Sequence, residues 1–247
     1  MNSLSRQISV SDSVSSLEST LFLSNRSKHL DKLLLIETIL ITIAAVLAIK
    51  MFQTNLASNT RWFVSPGILV AAAFIPTVVR KSKLSEIGLS FGQTKHSLIV
   101  LGWTCLVVFP SMFCGLWLLK SFGLILPLQP ILPEGQSWAS WLFYQFMYVA
   151  VAEEVFFRGY LQSNILRLMS TVEPDKDRLQ KWISIVLSAA CFAAAHVIIQ
   201  GKIISVVTFL PGLIFGWLFV RTRSLLAPIL FHGLANVCYF LMAIAFA

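Results

Sequence analysis

Apolar residues form seven long runs along the chain, and shorter polar segments separate them. The runs cover Leu33–Phe52, Phe63–Val79, Ser97–Leu119, Trp138–Phe157, Trp182–Ile199, Ile203–Val220 and Leu225–Ala247. An apolar run of about 18 or more residues has the length that an α-helix needs to cross the hydrocarbon core of a bilayer. The pattern therefore predicts an all-α fold, a polytopic membrane helix bundle of about seven transmembrane helices.

Two segments do not follow this pattern. Residues 1–32 are polar and rich in serine, and they lack the apolar core of a secretory signal. They are predicted to form a flexible cytoplasmic tail before a single transmembrane bundle over residues 33–247. The apolar segment Ser121–Pro133 is short and contains three prolines, which favours an interfacial or re-entrant segment over an eighth span, the alternative.

The composition fits a membrane protein and argues against a soluble globular enzyme. The chain is 57% hydrophobic and 12% charged, with a mean hydropathy of +0.79, whereas a soluble domain is usually about 25% charged. The four cysteines lie in apolar runs, where they are expected to act as small packing residues rather than as disulfides or metal ligands.

The basic residues are distributed unequally between the two sides of the predicted bundle. With the N-terminus in the cytoplasm, fifteen of the 19 lysines and arginines fall in cytoplasmic segments and four in external ones. Cytoplasmic loops of membrane proteins carry this excess of positive charge. The net charge of +8 is thus explained without a nucleic-acid partner, and the C-terminus is predicted to lie outside. The predicted location is multi-pass and integral, in the bacterial inner (plasma) membrane.

Three charged residues lie at the end of the fourth run and directly after it, in the stretch "VAEEVFFRGY". A charge at the centre of a bilayer costs at least about 2.5–3.5 kcal/mol, so Glu153, Glu154 and Arg158 need a reason to be there. Glu154 and Arg158 are four residues apart, in the favourable order for a helical ion pair. Glu153 is rotated by about 100° from Glu154 on a helix, so it can face another partner. A purely structural ion pair is the alternative reading of Glu154 and Arg158.

Other polar side chains lie inside later runs. His196 falls in "SAACFAAAHVII", and His232 and Asn236 are four residues apart on one face of the last run. Each alone fits an interhelical hydrogen bond. Glu37, near the cytoplasmic end of the first run, is expected to extend towards the interface. Ser188, two turns before His196, is a weak candidate nucleophile.

Taken together, these groups predict hydrolysis of an amide by an activated water. A carboxylate and an imidazole can hold and deprotonate a water molecule. Attack by that water on a carbonyl requires N–H donors for the developing oxyanion. His232 and Asn236 can supply such donors from one helix face.

Three stretches resemble the motifs of a known family. "EEVFFRGYL", "FAAAH" (Phe192–His196) and "HGLAN" (His232–Asn236) are similar, in this order, to the EExxxR, FxxxH and HxxxN motifs of the CPBP family. This family, also called Abi, contains CAAX prenyl endoproteases and bacteriocin-processing enzymes. The resemblance covers about Trp138 to the C-terminus, so a protease core is expected over residues 138–247.

The resemblance implies an intramembrane endopeptidase of the glutamate type, which acts on a membrane-anchored protein or peptide in the lipid bilayer. Glu153 would be the base that activates water, and His196 would hold that water. Glu154 would orient the site and pair with Arg158. An oxyanion hole would be formed by His232 and Asn236, and no cofactor is expected.

Three alternatives stay open at this point. An older view of the family as metalloproteases would make Glu153, His196 and His232 a zinc set, although the sequence has no HExxH helix. A non-catalytic member of the family could act as an immunity or scaffold protein. A transporter is less favoured, because the two halves of the chain show no repeat.

Overall fold

The computed structural model describes residues 4–55, 58–89, 94–124, 128, 137–172 and 176–246, with side chains from residue 29 onwards except at 58–62 and 171–172. Within these ranges the fold is all-helical and has seven helices. This confirms the predicted fold class. The backbone of residues 4–32 is helical and continuous with the first apolar run, whereas the flexibility and the cytoplasmic location of the tail stay predictions. Most of the Ser121–Pro133 segment lies outside the described residues.

Each of the seven helices contains most of one apolar run, and the first and fourth extend well beyond their runs. The seven helices are α1 (Leu4–Asn55), α2 (Ser58–Val79), α3 (Thr94–Ser121), α4 (residues 138–172), α5 (Asp177–Gln200), α6 (Phe209–Thr222) and α7 (Leu226–Phe246). Short 3₁₀ segments, Leu84–Ile87 and Ile203–Thr208, precede α3 and α6.

Five segments are long and apolar enough to cross a membrane. They are His29–Asn55, Thr94–Ser121, Asp177–Gln200, Ile203–Thr222 and Leu226–Phe246. The apolar helix Phe63–Val79 is shorter, and α4, which carries the charged motif, is not among the five. Large apolar side chains such as Trp103 and Leu106 are exposed on α3, as expected for a surface that faces lipid tails. The chain is therefore an integral membrane protein.

Helix α4 is one continuous helix built of five contiguous pieces. They are Trp138–Phe143, Tyr144–Ala150, Val151–Glu154, Val155–Gln162 and Ser163–Val172, of which the second and fourth are π-helical. A π segment widens a helix locally and is frequent at functional sites. Both glutamates of the motif lie in the short α-helical piece between the two π segments.

Helices α4, α5 and α6 approach one another closely at two glycines of α6. A Cβ atom added at Gly212 would lie 3.2 Å from the Cβ of Ala189 in α5. One added at Gly216 would lie 3.0 Å from Oε1 of Gln162 in α4. Small residues at these crossings let the helix backbones pack tightly, which brings the motif of α4 against α5 and α6.

Candidate active site

Glu154 and Arg158 form the helical ion pair that the sequence predicts. Arg158 Nη1 donates to Glu154 Oε1 at 3.0 Å, and both side chains are completely buried. Arg158 Nη2 donates to the backbone carbonyl of Gly212 at 3.1 Å. The two charges therefore neutralise each other, and the bond from Arg158 to Gly212 also connects α4 to α6.

Two aromatic rings enclose the guanidinium of Arg158. Its central carbon lies 4.6 Å from the ring centroid of Phe192 and 4.9 Å from that of Phe215. Both distances are within the range of a cation–π attraction, which is stronger where water is excluded. Nothing in the apolar sequence around Phe215 predicts that its ring contacts a charged residue of another helix.

His232 lies between the two glutamates of the motif. Its Nδ1 is 2.8 Å from Glu154 Oε1, and its Nε2 is 3.8 Å from Glu153 Oε2. Because Glu154 is paired with Arg158 as a carboxylate, which can only accept, Nδ1 carries the hydrogen of this bond. The imidazole also stacks on Phe215, with ring centroids 4.6 Å apart.

His196 approaches Glu153 from α5. Its Nδ1 donates to the carbonyl of Phe192 at 3.0 Å, and its Nε2 lies 3.9 Å from Glu153 Oε2. A carbonyl can only accept, so neutral His196 carries its hydrogen on Nδ1 and a lone pair on Nε2. The backbone carbonyl of Phe192, the first residue of "FAAAH", thus orients the imidazole of His196. The ring of Phe192 also packs against this imidazole, with centroids 4.4 Å apart.

Glu153 lies at the point where the two imidazoles converge. Its Oε2 atom is buried and has no hydrogen-bond partner among the described residues, while the side chains of Glu153 and His196 are each 19% exposed. Separations of 3.8 and 3.9 Å are too long for direct hydrogen bonds, but a water molecule beside the line that joins two such atoms can bond to both. The carboxylate is rotated away from Glu154, in agreement with the helical spacing.

Asn236 makes its side-chain contact elsewhere. It lies one helical turn from His232 in α7, and its Nδ2 donates to Oε1 of Gln145 in α4 at 2.9 Å. The structure thus brings five of the six candidate residues into one contact network, and the sixth, Asn236, bonds to Gln145, which was not among the candidates. Gln145 could have been found as an uncharged polar residue inside the apolar stretch "WLFYQFMY".

Two further polar residues have structural partners. The Ser188 hydroxyl is buried and donates to the carbonyl of Phe157 at 2.8 Å, which satisfies a backbone group of the second π segment. Glu37 does not simply extend to the interface. It accepts from the Tyr160 hydroxyl at 3.2 Å and lies 3.6 Å from Arg80 Nε, so it joins α1 to α2 and α4.

The family model described as "Type II CAAX prenyl endopeptidase Rce1-like" matches residues 135–238. The matched segment contains all six candidate residues. No curated protein and no solved structure matches the chain. The match supports a peptidase of the membrane protease type. Residues 135–238 therefore match the Rce1-like type II CAAX prenyl endopeptidase family model, which is consistent with the CPBP family.

Proposed function

We propose that the protein is an intramembrane endopeptidase that hydrolyses a peptide bond with a water molecule activated by Glu153 and His196. One observation carries the proposal. Within the described part of the chain, the buried Oε2 of Glu153 has no hydrogen-bond partner and lies 3.8 and 3.9 Å from the Nε2 atoms of two histidines. An unpaired buried carboxylate oxygen is costly, and a functional role explains its presence.

The hydrogen positions favour a water held by two acceptors. Glu153 Oε2 accepts, and Nε2 of neutral His196 also accepts because its Nδ1 hydrogen is bonded to the Phe192 carbonyl. One water can donate a hydrogen to each of these atoms. Its lone pairs then point away from both groups, in the direction from which a carbonyl carbon can approach.

The reaction follows from this arrangement. The water oxygen bonds to the carbonyl carbon while one water proton passes to Glu153, and the carbonyl π electrons move to the oxygen as an oxyanion. When the intermediate collapses, the C–N bond breaks and the nitrogen takes the proton back from Glu153. The products are a new carboxyl end and a new amino end, and Glu153 is again a carboxylate.

His232 and Asn236 are the proposed donors to the oxyanion. The Nδ1 hydrogen of His232 is used for Glu154, so Nε2 can donate only when the ring is doubly protonated. With such an imidazolium, the formal charges of Glu153, Glu154, Arg158 and His232 cancel. A site with no net charge suits a membrane interior, where an isolated charge is costly.

The zinc alternative fits the spacing less well. Tetrahedral zinc with bonds of about 2.0–2.2 Å would bring ligand atoms to about 3.3–3.6 Å from one another, whereas Glu153 Oε2 lies 3.8 and 3.9 Å from the imidazole nitrogens. Among the described side chains, no three His, Cys, Asp or Glu residues lie at the spacing of a metal site. The hydrogen bonds from Nδ1 of His196 and His232 are compatible with both mechanisms, since metal-bound histidines also donate their other ring N–H to a carbonyl or a carboxylate. Our proposal is the metal-free mechanism.

The proposed substrate is a membrane-anchored protein or peptide. The site lies in a helix bundle whose outer surface is apolar, so a substrate that is itself held in the bilayer can approach along the membrane. The charge distribution supports a cytoplasmic N-terminus. We keep the bacterial inner membrane as the proposed location.

The test compares membranes that contain the wild-type chain with membranes that contain Glu153→Gln. New protein ends are identified by mass spectrometry, and Glu86→Gln is the matched control because Glu86 is exposed in the loop before α3. The proposal expects new ends with the wild type and Glu86→Gln but not with Glu153→Gln. Equal sets of ends in all three membranes would contradict it and would favour a binding role.

A second measurement separates a protease from a transporter. Purified protein in liposomes is given the substrate found in the comparison, with and without an ion gradient. The proposal expects the same rate of cleavage in both cases. Movement of the peptide across the bilayer that depends on the gradient, without cleavage, would overturn it.

A further inference from the structure

We infer that Gln145 is a positioning residue, which acts by orienting the side-chain amide of Asn236 towards the substrate. This inference rests on the proposed function, and it assigns to Gln145 a role that the three motifs do not include. Gln145 lies in the first π segment of α4, eight residues before Glu153. Its Oε1 accepts from Asn236 Nδ2 at 2.9 Å.

The π segment explains how two residues at this spacing can serve one site. In a regular α-helix, residues eight apart differ by about 80° around the axis. A π bulge inserts one extra residue into the helix. Two residues that are eight apart across the bulge therefore have the angular relation of residues seven apart in a regular α-helix. That angle is about 20° around the helix axis. Gln145 and Glu153 therefore lie on nearly the same side of α4. They meet Asn236 and His232, which share one face of α7.

The hydrogen bond restricts the orientation of the Asn236 amide. An amide NH₂ has two hydrogens, and the bond to Gln145 uses one of them. The second hydrogen stays available for an oxyanion. If the amide turned over, its oxygen would face the oxyanion, and the two would repel each other.

A neighbouring contact fixes the same two helices. The ring of Phe146 lies over Gly233, where an added Cβ would be only 2.4 Å from two ring atoms. Two consecutive residues of the π segment thus contact two positions of "HGLAN", one by packing and one by a hydrogen bond. The packing sets the distance between the helices, which leaves the orientation of the amide to Gln145.

The test is a double-mutant cycle on the purified enzyme in liposomes, with the substrate identified by the Glu153-dependent comparison. The variants are Gln145→Met, Asn236→Ala and the double mutant. Gln145→Glu keeps an acceptor oxygen, and Met147→Leu is the control because Met147 is exposed in the same π segment. Thermal melting is measured for each variant, and Gln145→Ala replaces Gln145→Met if the latter does not fold.

Gln145→Met should lower kcat about tenfold to a hundredfold with little change in KM, which is the scale of a misplaced catalytic group. In the Asn236→Ala enzyme, the same change should cause no further loss of kcat, because the effects of residues that act together are not additive. Gln145→Glu should recover most of the rate, and Met147→Leu should behave like the wild type.

Each outcome decides between the two proposals. A normal kcat for Gln145→Met, or an equal loss with and without Asn236, would overturn the role of Gln145 and leave the proposed function in place. A normal rate for Asn236→Ala would remove the oxyanion role on which the inference rests. The absence of any Glu153-dependent cleavage would overturn both.

Discussion

Replacing Arg158 by alanine should destabilise the protein more than the removal of an ordinary surface charge. The change leaves the carboxylate of Glu154 buried without the guanidinium, and it removes the guanidinium's hydrogen bond to the carbonyl of Gly212. It also removes the cation from between Phe192 and Phe215. All of these groups lie where water cannot replace the lost contacts.

The expected loss is several kcal/mol. Breaking a buried ion pair by removing one partner costs about 3–5 kcal/mol. The lost hydrogen bond from this cation to the Gly212 carbonyl adds about 1.5–3 kcal/mol, although the two costs overlap because they involve the same guanidinium. Since folded domains are typically stable by about 5–15 kcal/mol, Arg158→Ala should accumulate poorly in the membrane and melt at a much lower temperature.

Two comparison variants make this prediction specific. Glu154→Gln/Arg158→Ala removes the uncompensated charge, so it should recover much of the yield but little activity. Arg167→Ala is the matched control, because Arg167 lies 4.0 Å from Glu86 and both side chains are more than half exposed. A surface pair of this kind contributes about 0–1 kcal/mol. If Arg158→Ala gave the yield and melting temperature of Arg167→Ala, the buried ion pair would not have the energetic role assigned to it.

Three further predictions concern packing and chemistry. Gly233→Ala should destabilise the bundle by about 1–3 kcal/mol, as overpacking does, and a second change, Phe146→Leu, should restore stability in thermal melts. Chelation and dialysis should leave turnover unchanged. His232→Ala and Asn236→Ala should each lower the rate of cleavage about a hundredfold to a thousandfold. A zinc content that follows activity across these two variants would favour the metalloprotease alternative. Tyr160→Phe removes a hydrogen bond to the carboxylate of Glu37 in α1. It should lower the free energy of unfolding by about 1–3 kcal/mol and leave turnover per folded molecule unchanged. A large fall in turnover would show that this contact affects the active site.

The sequence predicted those features of the site that depend on spacing within one helix. The spacing of Glu154 and Arg158 predicted their ion pair, and the rotation between neighbouring residues predicted that Glu153 faces elsewhere. The apolar runs predicted the helices because the length and composition of a span are local properties. Each of these inferences needed only regular α-helical geometry and the cost of a charge in lipid.

The missed features depend on irregular geometry or on contacts between helices. The π segments have no compositional signature in "YQFMYVA", so regular α-helical periodicity does not place Gln145 on the side of Glu153. The contacts of Phe215 and of the Gly212 carbonyl with Arg158 join residues more than fifty positions apart. The partners of Glu37, Tyr160 and Arg80, lie far from it along the chain, so hydropathy alone cannot reveal these contacts.

The most direct test of the central claim is the turnover of Glu153→Gln in purified, liposome-reconstituted enzyme. Glutamine keeps the shape of the side chain and loses the base. The account predicts a melting temperature close to that of the wild type and a fall in kcat of at least about a hundredfold to ten-thousandfold, the usual contribution of a general base. A folded Glu153→Gln enzyme that cleaves the same substrate at a near-normal rate would contradict the claim that Glu153 activates the attacking water.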